Sequence, residues 1–157
     1  MDRAAARKPS WIVVALALAI VGGVAAFYVI TGNGTAAGID PDDRAKVALG
    51  AQVYADNCAS CHGANLEGQA DWRQRLPNGR LPAPPHDESG HTWHHPDQQL
   101  FALTKYGPAA IVGGGYQSDM PGYEGTLSDA EIWAVLSYIK SRWPDEIQAR
   151  HDQISQQ

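Results

Sequence analysis

Cysteine is scarce in this chain: 157 residues contain two. A single pair cannot form the disulfide framework of a small exported domain, and a chain this long can bury a core without one. Basic residues are also few, 12 Lys and Arg against 17 Asp and Glu, for a net charge of −5. Arg3, Arg7 and Lys8 crowd the N-terminus, so the rest is more acidic still. That balance excludes nucleic-acid binding, which needs a basic face. No segment is low in complexity and no strand-like run stands out. The 16 glycines and 10 prolines are spread over long loops, as in a globular chain with an irregular middle. The length suits one ordinary domain, not a multidomain enzyme.

The longest absence is of charge. Between residues 9 and 39 no side chain is ionised, and the apolar heart of that run, residues 11–30, reads WIVVALALAIVGGVAAFYVI. About twenty residues at ~1.5 Å each cross a ~30 Å hydrocarbon core. Trp11 and Tyr28 stand where aromatics prefer the membrane interface, and the basic residues before the run belong on the cytoplasmic side. The expectation is an uncleaved anchor over residues 1–30, in a single pass through a cell's inner membrane. A cleaved signal peptide is the competing reading, since Val24-Ala25-Ala26 offers small residues. The apolar run is longer than such a leader needs and continues through Phe27-Tyr28-Val29-Ile30. Either way the remainder is exported, to the periplasm in a bacterium. Residues 31–39 are Gly-rich and read as a flexible linker. Residues 40–146 hold the folded domain, and 147–157 read as a polar C-terminal tail.

The two cysteines stand in Cys58-Ala59-Ser60-Cys61-His62. A disulfide across two intervening residues closes a very short loop and contributes little, whereas Cys-x-x-Cys-His is the attachment signature of c-type haem. The two thiols add across the porphyrin vinyl groups, and the histidine that follows is placed to ligate the iron. A thioredoxin-like pair would need a βαβ context and a zinc site two further ligands. Apart from the initiator, the one methionine is Met120, in Ser118-Asp119-Met120-Pro121-Gly122-Tyr123. Its thioether is a soft candidate for the distal ligand, and Pro121 stiffens the loop that would hold it. The alternative is a methionine that fills a gap in the core.

Helices frame these residues. Asp40-Pro41 reads as a cap followed by proline at the first helical position. Val47, Gly50, Ala51 and Tyr54 then form a helical stripe. Ser128 and Glu131 make a capping box ahead of Ile132, Val135, Leu136 and Ile139, with Trp133, Tyr138 and Trp143 beside them. Gly50, costly in mid-helix, implies either a close packing contact, with Tyr138 a candidate partner, or a helix that simply tolerates a glycine. A third helix is expected over 96–106, with Leu100, Leu103 and either Tyr106 or Phe101 toward the core and Gly107 as its stop. The fold class is therefore all-α, three main helices with long loops.

Taken together, these residues resemble a class I monohaem cytochrome c of the membrane-anchored bacterial type. The likeness covers 41–143 and rests on Gly50 and Tyr54, the motif from Cys58 to Gly63, Met120-Pro121, and Tyr138-Ile139. It implies the cytochrome c fold around one covalent haem c, with thioether bonds from Cys58 and Cys61, His62 as proximal ligand and Met120 as distal ligand. It also implies a proline whose carbonyl accepts the Nδ1 proton of His62. Pro82, Pro84 and Pro85 are available, with Pro84 or Pro85 favoured. A departure from the smallest members is the cluster His86, His91, His94 and His95, which reads as a polar loop whose Trp93 covers the haem edge, as a copper or zinc site, or as a source of another distal ligand. Gly113-Gly114-Gly115 reads as a bend toward Met120.

A six-coordinate iron has no open position for substrate, which favours a single-electron carrier over an enzyme. The expected donors are a membrane quinol-oxidising complex or a periplasmic dehydrogenase, and the acceptor a terminal oxidase or reductase. Tethering raises the effective concentration near such partners. The rival readings are a haem enzyme or gas or peroxide sensor with a labile Met120, a fixed subunit of a larger membrane oxidoreductase, and copper delivery through the histidines.

Overall fold

A computed structural model describes residues 37–156. The expected anchor at 1–30, and most of the linker at 31–39, lie outside the described residues. Among those described, no helix is long and apolar enough to cross a membrane. The chain runs through α1 (Arg44–Asn57), the single turn α2 (Ala59–His62), a 3-10 turn (Thr92–His94), α3 (Asp97–Tyr106), α4 (Pro108–Val112), α5 (Asp129–Ser141) and α6 (Asp145–Ser155). No strand occurs among the described residues, in agreement with the all-α expectation.

Helix α1 starts later than its Asp40-Pro41 signal suggests. The Asp43 carboxylate accepts from the backbone N–H groups of Ala45 and Lys46, both at 3.0 Å, and so supplies the cap. Asp40 caps the turn before it, accepting from Asp42 and Asp43, while its own N–H donates to Ser137 Oγ on α5 at 2.9 Å. The face that α1 buries is Lys46, Gly50, Val53 and Tyr54. Val53 takes the place expected for Val47, which is only half-buried.

The α1–α5 crossing explains Gly50. A Cβ there would lie 2.0 Å from the Ala134 carbonyl oxygen and 2.9 Å from Tyr138 Cβ. The helix backbones touch, so the ~1 kcal/mol that glycine costs in a helix is offset by an approach no other residue permits. Helix α5 is the centre of the domain. The Ser128–Glu131 capping box fixes its start, and Ile132 through Ser137 are all buried, as are Ile139 and Lys140. Helix α3 packs on it through Phe101, whose ring stacks on Trp133 with centroids 4.3 Å apart.

Residues 147–157 do not form a loose polar tail. Pro144 with Asp145 and Glu146 in the first turn starts α6, and Ile147 and His151 are buried beneath it. The contacts that dock this helix are polar, which is why composition conceals them. Ser155 Oγ donates to Asp97 Oδ1 at 2.7 Å and accepts from the Asp97 N–H at 3.2 Å. Lys140 on α5 pairs with Asp152. Trp143 packs edge-on against His151 at 5.1 Å.

His151 is 0% exposed and lies 3.5 Å from Asp97 Oδ1. Burial, then nearby Lys140, lower its pKa, against opposing pulls from Asp97 and Asp152 and a bond to the His95 backbone. The folded state therefore keeps it neutral where the unfolded chain takes up a proton, from about pH 6.5 downward. Stability is expected to fall as pH drops from 7 to 5. In urea titrations across that range His151→Phe should show a shallower decline than the parent chain. An identical slope would show that His151 does not carry this sensitivity.

Candidate functional site

Helix α1 ends at Asn57, and Cys58 closes it by donating its N–H to the Tyr54 carbonyl at 2.9 Å. The chain then makes one more turn. Cys61 and His62 both donate to the Cys58 carbonyl, at 3.1 and 2.9 Å, so both thiols and the imidazole issue from a single helical turn. Cys58 is half-buried, Cys61 exposed, and both are free thiols. Burial, then Cys61, push the Cys58 pKa up to about 11. Tyr54 OH donates to the Gly63 carbonyl at 2.9 Å and locks the end of this turn.

His62 is 6% exposed, and burial lowers its pKa despite the bond to Pro84, so the ring is neutral. Its Nδ1 lies 2.8 Å from the Pro84 carbonyl oxygen. A carbonyl only accepts, so Nδ1 carries the proton and the lone pair is left on Nε2, the tautomer a metal ligand requires. Of the three prolines offered by the loop, Pro84 makes the bond. Two local features hold it there. Gln69 N–H donates to the Ala83 carbonyl while its side chain accepts from Ala83 N–H, both at 2.9 Å. Gly68, with φ +69, lets the Pro84–Pro85 backbone pass where a Cβ would lie 2.4 Å from Pro85 N.

Met120 stands on a separate loop, half-buried, with its N–H donating to Ser118 Oγ at 3.1 Å. The loop is tied down on both sides. Arg80 pairs with Asp119 immediately before Met120. Tyr123 OH donates to the Asn57 carbonyl at 2.7 Å, one residue ahead of Cys58, and burial followed by Cys58 and Cys61 raises its pKa. Tyr123 and Glu124 N–H groups donate to Thr104 and Lys105 carbonyls at the end of α3. The methionine loop and the cysteine turn are thus joined through Tyr123. Nothing in the sequence marks that hydroxyl or the Arg80–Asp119 pair.

The four histidines do not gather into one site. His86 packs on His62 with ring centroids 3.9 Å apart. His91 stacks on Trp72 at 5.2 Å and meets His95 edge-on at 5.4 Å, and His94 lies against Trp93 at 3.7 Å. Trp93 Nε1 donates to the Glu88 carbonyl at 3.3 Å. Among the described residues no three His, Cys, Asp or Glu side chains are grouped to hold a metal ion. The three glycines at 113–115 take φ of +67, +58 and +80 in the bend after α4.

The donor set fits a covalently attached haem: two reduced thiols and a neutral imidazole on one turn, with a thioether on a loop linked to it. Three large exposed apolar side chains, Tyr106, Ile111 and Val112, lie on the α3–α4 segment that precedes the methionine loop.

The family model for cytochrome c matches residues 47–143. The chain belongs to the cytochrome c family. That membership implies a covalently attached c-type haem and electron transfer through it, and residues 47–143 span the helices and loops just described. Among curated relatives, the cytochrome c chain is similar to the Cbb3-type cytochrome c oxidase subunit CcoP of Rhodobacter capsulatus, 29% identical over 64% of this chain and 31% of that protein. It is similar to the cytochrome bc1 complex cytochrome c subunit of Mycobacterium tuberculosis, 38% identical over 41% of this chain and 22% of the relative. It is also similar to the thiosulfate dehydrogenase of Stutzerimonas stutzeri, 29% identical over 64% of this chain and 29% of that enzyme. The chain spans less than a third of the length of these relatives. No solved structure gives a significant match.

Proposed function

We propose that this cytochrome c is a membrane-tethered, periplasmic single-electron carrier, with thioether attachment at Cys58 and Cys61 and axial ligation by His62 and Met120. The observation that carries the reading is His62: neutral, buried, its Nδ1 proton given to Pro84 at 2.8 Å, on the same turn as two free thiols. Bound there, haem supplies a reversible one-electron couple at its iron. The protein's own part is to hold and shield. Pro84 orients the imidazole and raises its basicity. Tyr123 and the Arg80–Asp119 pair keep the methionine loop in place, so the soft sulfur that favours reduced iron stays available. The surplus of acidic residues suits docking on a basic patch through salt-sensitive contacts.

The uncharged stretch between residues 9 and 39 supports an anchor in the inner membrane. A quinol-oxidising complex and a terminal oxidase are the partners in keeping with relatives named as bc1 and cbb3 subunits. Those names equally favour a second reading, a fixed subunit of such a complex, and co-purification from solubilised membranes separates the two.

The axial assignment is tested by a visible spectrum of the oxidised and reduced protein with and without CO. The wild-type protein should show a weak long-wavelength iron–sulfur band when oxidised and no response to CO when reduced. Met120→Ala should lose the band, lower the midpoint potential and bind CO. If Met120→Ala keeps both band and potential, another residue is the distal ligand.

A further inference from the structure

His86 is the residue of the histidine cluster whose surroundings point to a use. Its ring lies over the His62 ring with centroids 3.9 Å apart and planes 21° from parallel. Its own position is over-determined. Nδ1 is 2.8 Å from Thr92 Oγ1, its N–H donates to the Leu66 carbonyl at 2.8 Å, its carbonyl accepts from Trp143 Nε1 at 2.7 Å, and Tyr54 meets the ring edge-on at 6.3 Å. Thr92 and Leu66 are themselves 6% and 2% exposed, so the ring is clamped by groups that do not move freely.

His62, by contrast, has one hydrogen bond to fix its side chain, from Nδ1 to Pro84. A single linear bond defines the direction of the ring but leaves it free to rotate about that bond. Contact across the ring face removes that freedom. We propose that His86 is a positioning residue for the ligand histidine: stacked on His62 and pinned by Thr92, it sets the rotation of the His62 ring about its bond to Pro84. The proposal rests on reading His62 as the axial ligand. Pro84 then supplies direction and basicity, and His86 supplies orientation. Trp143, which holds the His86 carbonyl, makes the junction of α5 and α6 part of the same support.

The test uses ferric holoprotein and three readouts that simple loss of packing would not move in a matched way: the EPR g values, the pattern of paramagnetically shifted haem methyl resonances, and the midpoint potential. His86→Phe keeps a flat ring over His62 without the bond to Thr92. His86→Asn keeps a polar group for Thr92 without the ring. The Asn variant should move all three readouts most, while the Phe variant, stacked but unpinned, should move them less, by about as much as loss of the Thr92 bond alone. Thr92→Val leaves His86 in place but unpinned and should shift the methyl pattern in the direction of the Asn variant, by less. A folded Asn variant with wild-type readouts overturns the proposal, as do Phe and Asn variants that shift alike. If the Asn variant does not fold, an unchanged Thr92→Val pattern overturns it. A wild-type ferric spectrum without the signature of an imidazole-ligated low-spin iron would instead overturn the ligand reading of His62, a separate failure.

Discussion

Replacing Cys58 and Cys61 together by serine is expected to abolish covalent haem attachment outright, leaving a chain whose mass lacks haem after denaturation. The expectation follows from chemistry. A thiol adds across a vinyl group because sulfur is a good nucleophile near neutral pH, and a serine hydroxyl of similar size is not. The two thiols are unequal here. Cys61 is exposed, while Cys58 is half-buried with its pKa pushed up to about 11 by burial and by Cys61. In the folded chain Cys58 is therefore the less reactive of the pair, and it should react before or during folding. Single variants should retain one thioether each. Intact mass spectrometry under denaturing conditions reads all three cases. Haem that stays bound in the double variant would refute attachment at these cysteines.

Gly50→Leu should have the second large effect. A Cβ at position 50 would stand 2.0 Å from the Ala134 carbonyl oxygen, and a backbone oxygen cannot rotate aside as a side chain does. The helices would have to part by more than about 1 Å, losing close contacts along the whole crossing. Overpacking of a tight core typically costs about 1–3 kcal/mol, and a collision with backbone belongs at or above the upper end. Denaturant unfolding should show loss of more than about 3 kcal/mol, or no cooperative transition at all. Ala134→Gly should not rescue it, because the clash is with the carbonyl and not with the Ala134 side chain. Rescue by Ala134→Gly would mean that the crossing adjusts in a way these backbone positions do not suggest.

Legibility in the sequence followed the range over which each signal acts. The haem motif lies within five consecutive residues, and the Ser128–Glu131 box within four, so both can be read without knowing the fold. Helices α3 and α5 were legible because apolar spacing and local stop and start signals agree. The start of α1 was displaced because two aspartates, Asp40 and Asp43, compete as caps, and only the structure shows Asp40 spent on the preceding turn. Helix α6 was missed for a different reason: it docks through Ser155, Asp152 and His151, residues whose composition argues for solvent. His86 could not be told from His91, His94 and His95, because what distinguishes it is a ring stacked on a residue 24 positions earlier. The Tyr123 bond to Asn57 spans 66 positions and leaves no local trace.

The bond between Asp40 and Ser137 joins residues 97 positions apart, at the two sides of the α1–α5 crossing. At roughly 5–20 residues per second of synthesis, ~5–20 s separate the two ends. Throughout that interval α1 has no partner, and Cys58 and Cys61 travel as accessible thiols on an unfolded stretch of chain. If the chain is exported, as its N-terminal stretch suggests, that period is also when the pair is most open to oxidation by its surroundings. The long-range closure of this fold thus leaves a window in which its thiols must be kept reduced, and the arrival of α5 narrows that window for half-buried Cys58 but not for exposed Cys61.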